Sequence, residues 1–154
     1  MGEIKVEDLK KVAGSFATGV TIITFKVGNN VIHGMTASSF VSVSFSPPLV
    51  SFSVDIKAKL FDQLEEGKEF GISILSKNQK HLSNHFAGYP DKDEEIVFDE
   101  SKGFPLIKNS LAWYVVKATK IIPAGDHKMV LCNIEKLGRD PKKQPLLYYS
   151  GKYL

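Results

Sequence analysis

The sequence predicts a mainly β protein, an antiparallel barrel with short peripheral helices. Three observations carry this. Apolar residues alternate with polar ones over most of the chain, the period of half-buried strands. The β-rich runs follow one another through short turns, as hairpins and meanders, without the strand–helix alternation of parallel folds. No Gly-x-Gly-x-x-Gly sequence follows a strand and opens a helix, so a nucleotide would not be held in the Rossmann manner.

Taken in order, residues 6–16 read as a short helix, because Val6, Leu9, Val12 and Ala13 share a face and Glu7, Lys10 and Lys11 point away. Residues 20–25 are β-rich, Gly28-Asn29-Asn30 is a turn that tolerates positive φ, and residues 31–37 form the returning strand. Thr36, Ala37, Ser38 and Ser39 then break the pattern with three hydroxyls and one small side chain. Alternation resumes at 41–46, with Val41, Val43 and Phe45 between serines, and Pro47-Pro48 closes it. It returns at 49–55, where Val50, Phe52 and Val54 share an apolar face and the serines of both strands suggest a polar strip.

Residues 60–66 read as a second helix ended by Gly67, and 69–75 as a strand. Ser76 is the expected N-cap of a third helix reaching His85. Residues 91–102 are polar and aperiodic, read as a loop with at most one helical turn. A long strand at 110–123, a turn at 124–127, a hairpin partner at 128–137 and a last strand at 146–149 complete six or seven strands.

The 154 residues, 43% hydrophobic and 24% charged, suit one domain over the whole chain, residues 1–154. With 20 basic against 17 acidic residues and no basic run, nucleic-acid and membrane-surface binding are not expected. Cys132 is the only cysteine, which excludes an internal disulfide and a zinc–thiolate cluster and fits a reducing cytoplasm. No signal-peptide pattern and no apolar run of membrane-spanning length occurs.

Several residues point to chemistry, each beside a plainer reading. The hydroxyls of 36–39 either satisfy local backbone groups or, with free N–H groups, cradle an anion or the edge of a flat cofactor. Lys57 and Lys59, between a strand and a helix, are either solvated or hold a phosphate. His127, directly after Gly125-Asp126, is either an exposed turn histidine or a donor at a pocket mouth, with Asp126 orienting the ring or starting the turn. His81 and His85 share a helix face at the spacing of two metal ligands, but no third ligand accompanies them, and no metal site is expected. No nucleophile elbow surrounds any serine.

The ordered set Phe16-Ala17-Thr18-Gly19-Val20, Gly34-Met35-Thr36-Ala37-Ser38-Ser39-Phe40, Ser46-Pro47-Pro48-Leu49, Asn84-His85-Phe86-Ala87-Gly88, Gly125-Asp126-His127 and Pro145-Leu146-Leu147-Tyr148-Tyr149, with Gly151-Lys152-Tyr153, spans nearly the whole chain. It resembles the flavin reductase-like family, and within it the small reductase components of two-component flavin monooxygenases. The resemblance implies a split β-barrel binding FMN or FAD and an NAD(P)H:flavin oxidoreductase that hands reduced flavin to a separate oxygenase. It implies a homodimer with the flavin near the subunit interface; Tyr148, Tyr149 and Tyr153 either supply such a surface or pack as core aromatics. It carries flavin contacts onto Thr36, Ala37, Ser38 and Ser39, onto the phosphate segment with Ser53, Val54, Asp55, Lys57 and Lys59, and onto Phe86, Ala87, Gly88 and Tyr149. His127 becomes the nicotinamide-side residue, donating NADH or NADPH being its partner. Relatives often carry Asn, then Ser or Thr, where this chain has Asp55 and Ala58. A flavin store or electron-transfer module on the same barrel, and a cofactor-free interaction module, are the alternative functions.

Overall fold

The computed structural model describes residues 2–154. Its elements are α1 (Val6–Gly14), β1 (Thr18–Gly19), β2 (Thr21–Val27), β3 (Val31–Ala37), β4 (Val41–Phe45), β5 (Pro48–Asp55), β6 (Glu69–Ile74), α2 (Lys80–Phe86), β7 (Phe98–Asp99), β8 (Leu106–Ile107), β9 (Ala112–Ala124), β10 (His127–Arg139), β11 (Leu147–Tyr149) and β12 (Lys152–Tyr153). Seven strands form one antiparallel sheet in the order β3-β2-β6-β9-β10-β5-β4. The sheet coils so that Ile23, Phe52, Phe70, Val116 and Val130, from five of its strands, meet in one core. At the open side the chain crosses from β3 to β4, and Ser39 spans the gap. Its Oγ accepts the Ser53 N–H at 2.9 Å and donates to the Ser53 carbonyl at 3.1 Å. This is the split barrel. The β1-β11-β12 and β7-β8 ribbons lie outside the main sheet.

Local chemistry explains the turns. Gly28 (φ 55°) and Asn30 (φ 62°) take the positive φ that the β2–β3 turn was expected to need. Gly125, at φ 62°, occupies the first position of the two-residue β9–β10 loop, as a primed hairpin turn requires. His127 is therefore the first residue of β10, paired with Ala124, rather than part of the turn.

Other expectations are corrected. The segment 60–66 is a single 3-10 turn, Phe61–Gln63, because its amides bond three residues back, Phe61 to Ala58 and Gln63 to Leu60. Ser76 does not cap α2. It forms a bridge with Pro145, its own N–H donates to the Gln79 side chain at 3.0 Å, and the helix starts only at Lys80. The loop at 91–102 contains β7. The serines of β4 and β5 do not form one polar strip, since the register sets Val41 opposite Ser51 and Ser42 opposite Val50, with a bulge between Ser42 and Ser44. β4 is exposed along its length, Phe45 reaching 94%. α1 likewise buries no residue, and Phe16 beside it is 80% exposed.

Cys132, on β10, is fully buried in the core, and burial pushes its thiol up to about 12. In the unfolded chain the thiol ionises near 9, so its contribution to stability is complete below pH 9 and is lost as pH rises from 9 towards 12. The expected result is no alkylation by iodoacetamide in the native protein at neutral pH and full alkylation in denaturant, read by mass spectrometry.

Candidate functional site

A cleft of about 660 Å³ opens beside β3, lined by Ile32, His33, Gly34, Met35 and Thr36, by Asp55, Ala58 and Lys59, and by His85, Phe86, Ala87 and Gly88. Five consecutive β3 residues line it because β3 is an edge strand with no neighbour beyond it. The unpaired backbone groups of such an edge are open to a ligand.

The far wall is the end of α2, held to β3 at two points and to β12 through Tyr153. The Thr36 hydroxyl donates to the Ser83 carbonyl at 2.6 Å. The Tyr153 hydroxyl lies 2.8 Å from Ser83 Oγ and donates to Asn84 Oδ1 at 3.1 Å. The Phe86 ring packs against Gly34 through Cδ1 and Cε1, where an added Cβ would sit 2.6 Å from both carbons. A residue with a side chain at position 34 would displace this wall.

Of the residues expected to touch a flavin, Thr36, Asp55, Lys59, Phe86, Ala87 and Gly88 come together around this cleft. Ser38 lines an adjoining hollow of about 210 Å³, which shares Thr36 and Ala87 with it. Ala37 is buried behind the strand. The Ser39 hydroxyl occupies the backbone N–H and carbonyl of Ser53, and the Val54 side chain is buried in the core, so none of these three residues is in the cleft lining. Lys57 and Tyr149 are exposed and outside the cleft lining. Pattern reading missed Ile32 and Met35, and missed Tyr153 as the brace of α2. The free edge of β3 is the signal that identifies the first two, and it exists only once the strand order is known.

At the rim, the Gly-Asp-His turn is locally ordered. His127 Nδ1 lies 2.6 Å from Asp126 Oδ1. That hydrogen bond holds the Asp126 carboxyl below the usual carboxylate range. Asp126 therefore stays ionised as pH falls through 3.8, and the contact is lost only below that. On the other side of the ring, His127 Nε2 lies 4.0 Å from Asp55 Oδ2. His81 and His85 both face Glu94, at 3.1 and 3.7 Å, which ties the 91–97 segment to α2. Among the described residues no three His, Cys, Asp or Glu side chains converge as metal ligands.

Residues 13–154 match the flavin reductase like domain. The chain belongs to the flavin reductase-like family. It is 37% identical over 153 residues to an NADH-dependent flavin reductase of a Rhodococcus species, covering 98% of this chain and 86% of the relative. It is 35% identical over 147 residues to the reductase component of 4-hydroxyphenylacetate 3-monooxygenase from Thermus thermophilus, covering 96% and 94%. The structure of the flavin reductase PheA2 superposes with a TM-score of 0.92 at 38% identity, over 98% of this chain and 97% of that one.

Proposed function

We propose that the cleft beside β3 is where this chain holds its flavin, and that the observation carrying this is the cleft itself, one open strand edge facing a flat apolar wall with a cation at one end. The chain is an NAD(P)H-dependent flavin reductase that reduces FMN or FAD. The residues present fit that group. A volume of about 660 Å³ is within the range of small-molecule sites. The β3 edge offers backbone donors and acceptors to a ring that carries both. Phe86 offers a flat surface, and Lys59 offers a charge for the phosphate.

When bound there, the flavin would supply the acceptor for the hydride of the reduced nicotinamide. The protein's own work is positional. Gly34 and Thr36 set the wall, Lys59 fixes the phosphate end, and His127 with Asp126 orients the nicotinamide nucleotide at the rim. No covalent nucleophile is required. The expected result is oxidation of NADH, followed by the absorbance of the reduced nicotinamide, that depends on added FMN or FAD. No flavin-dependent oxidation of either reduced nicotinamide overturns the reading.

The reduced flavin is passed to a separate oxygenase component. This rests on the likeness to monooxygenase reductase components. The working unit is a homodimer. Supporting it are two groups of exposed apolar side chains, Val6, Leu9, Val12 and Phe16 around α1, and Val41, Val43 and Phe45 on β4, which a second copy could cover. Light scattering at twice the chain mass is the expected result. The residues 1–154 act as one domain, and the compartment is the cytoplasm, in keeping with a single buried thiol; no described helix is long and apolar enough to cross a membrane.

A further inference from the structure

Asp55 ends β5, directly opposite His127 at the start of β10. Its Oδ1 accepts the Lys57 backbone N–H at 2.8 Å, which shapes the bend after β5. Its Oδ2 lies 4.0 Å from His127 Nε2. Asp126 Oδ1 sits 2.6 Å from the other ring nitrogen, and the Ile56 N–H donates to the Asp126 carbonyl at 2.9 Å. The imidazole thus has a carboxylate at each nitrogen, and the two turns that supply them are joined by a backbone hydrogen bond. Of the three side chains only Asp55 also lines the cleft.

A carboxylate here is a poor phosphate ligand, because like charges repel. An exposed pair of this kind also adds little stability, the Asp55 and His127 side chains being 46% and 40% exposed. What the arrangement supplies is orientation. A ring tethered at Nδ1 alone can pivot about that contact, and with the imidazole doubly protonated an attraction between Nε2–H and the Asp55 carboxylate opposes the pivot. We propose that Asp55 is a positioning residue for the reduced nicotinamide nucleotide: through its contact with His127 it orients the imidazole and links the rim of the flavin cleft to the Gly-Asp-His turn. This rests on the reading that the chain reduces flavin with a nicotinamide donor.

The test uses Asp55→Asn, which keeps the size and the acceptor for Lys57 N–H but removes the charge facing His127. Asp55→Glu restores the charge. In the full-length chain, Asp55→Asn is expected to raise KM for NADH about two- to five-fold, the scale of a partly exposed charge contact, while the dissociation constant for FMN, read by quenching of flavin fluorescence, does not rise, because the substitution removes a carboxylate that repels the phosphate. Asp55→Glu recovers part of the loss. The double variant Asp55→Asn, His127→Ala is expected to be no worse in KM than His127→Ala alone, because the effect of Asp55 passes through the ring. A rise in the FMN dissociation constant with KM for NADH unmoved makes Asp55 a flavin contact and overturns the proposal. Additive effects of the two substitutions overturn it too. If the wild-type chain oxidises no NADH with flavin present, the reading beneath it fails, and the proposal with it.

Discussion

Gly34→Ala is expected to weaken flavin binding about five- to more than hundredfold while the chain still folds. Gly34 sits in mid-β3, paired with Thr24 of β2, and an ordinary strand position carries a side chain without difficulty. Here a Cβ would stand 2.6 Å from Cδ1 and Cε1 of Phe86 and 3.3 Å from Ile22 Cγ2. Ile22 is fully buried and cannot yield, but Phe86 is only half-buried at the cleft wall. The cheapest relief is for the Phe86 ring to swing into the cleft, and overpacking of this size costs about 1–3 kcal/mol. Since 1.4 kcal/mol is about tenfold in affinity, a cost borne mainly by the ligand-bound form raises the dissociation constant about five- to more than hundredfold. Flavin titration by fluorescence checks the loss. The double variant Gly34→Ala, Phe86→Ala should recover part of the affinity, because the clash is removed while the stacking surface is not restored. Unchanged affinity in Gly34→Ala would show that the cleft does not hold the flavin.

Phe52→Ala is expected to be the most damaging single truncation of stability. Phe52 is fully buried at the centre of β5, its ring edge-on to Phe70 of β6 at 5.4 Å between centroids. The two strands are not neighbours in the sheet, since β9 and β10 lie between them. Their rings therefore meet across the barrel interior and hold its two halves together. Removing a buried phenyl group costs about 3–5 kcal/mol through lost burial and the cavity left behind. For a chain of this size that lowers Tm by roughly 10 °C or more. Thermal unfolding followed by circular dichroism gives the value, and a Tm within a few degrees of wild type would mean the core collapses into the space.

The same two residues mark how far the sequence could be read. Phe52 was legible, because Val50, Phe52 and Val54 alternate with polar residues and a half-buried strand has that period. The identical alternation at Val41, Val43 and Phe45 misleads, since β4 is an edge strand with a bulge and nothing in the monomer covers it. α1 misleads for the same reason, its apolar face being amphipathic but unburied. A periodic pattern states which face is apolar and says nothing of what covers it. The helix expected at 60–66 shrank to one 3-10 turn, and the start of α2 moved to Lys80. At Ser76 the bridge to Pro145 outweighs weak local preference, whereas at 60–66 the amides bond three residues back and only one 3-10 turn forms.

By itself the sequence determined the mainly β class, the hairpin at Gly28-Asn30, a turn around Gly125-Asp126, the buried face of β5 and, through its ordered segments, the family. These depend on residues adjacent in the chain or on fixed periods, where local sterics and hydrophobic spacing suffice. Only the tertiary structure decided the strand order that leaves β3 open and the packing of Phe86 on Gly34. It also decided the brace from Tyr153 to α2 and the meeting of Asp55 with His127. Each joins residues distant in sequence, and the distances that make them a site are set by how the sheet coils and not by any local preference.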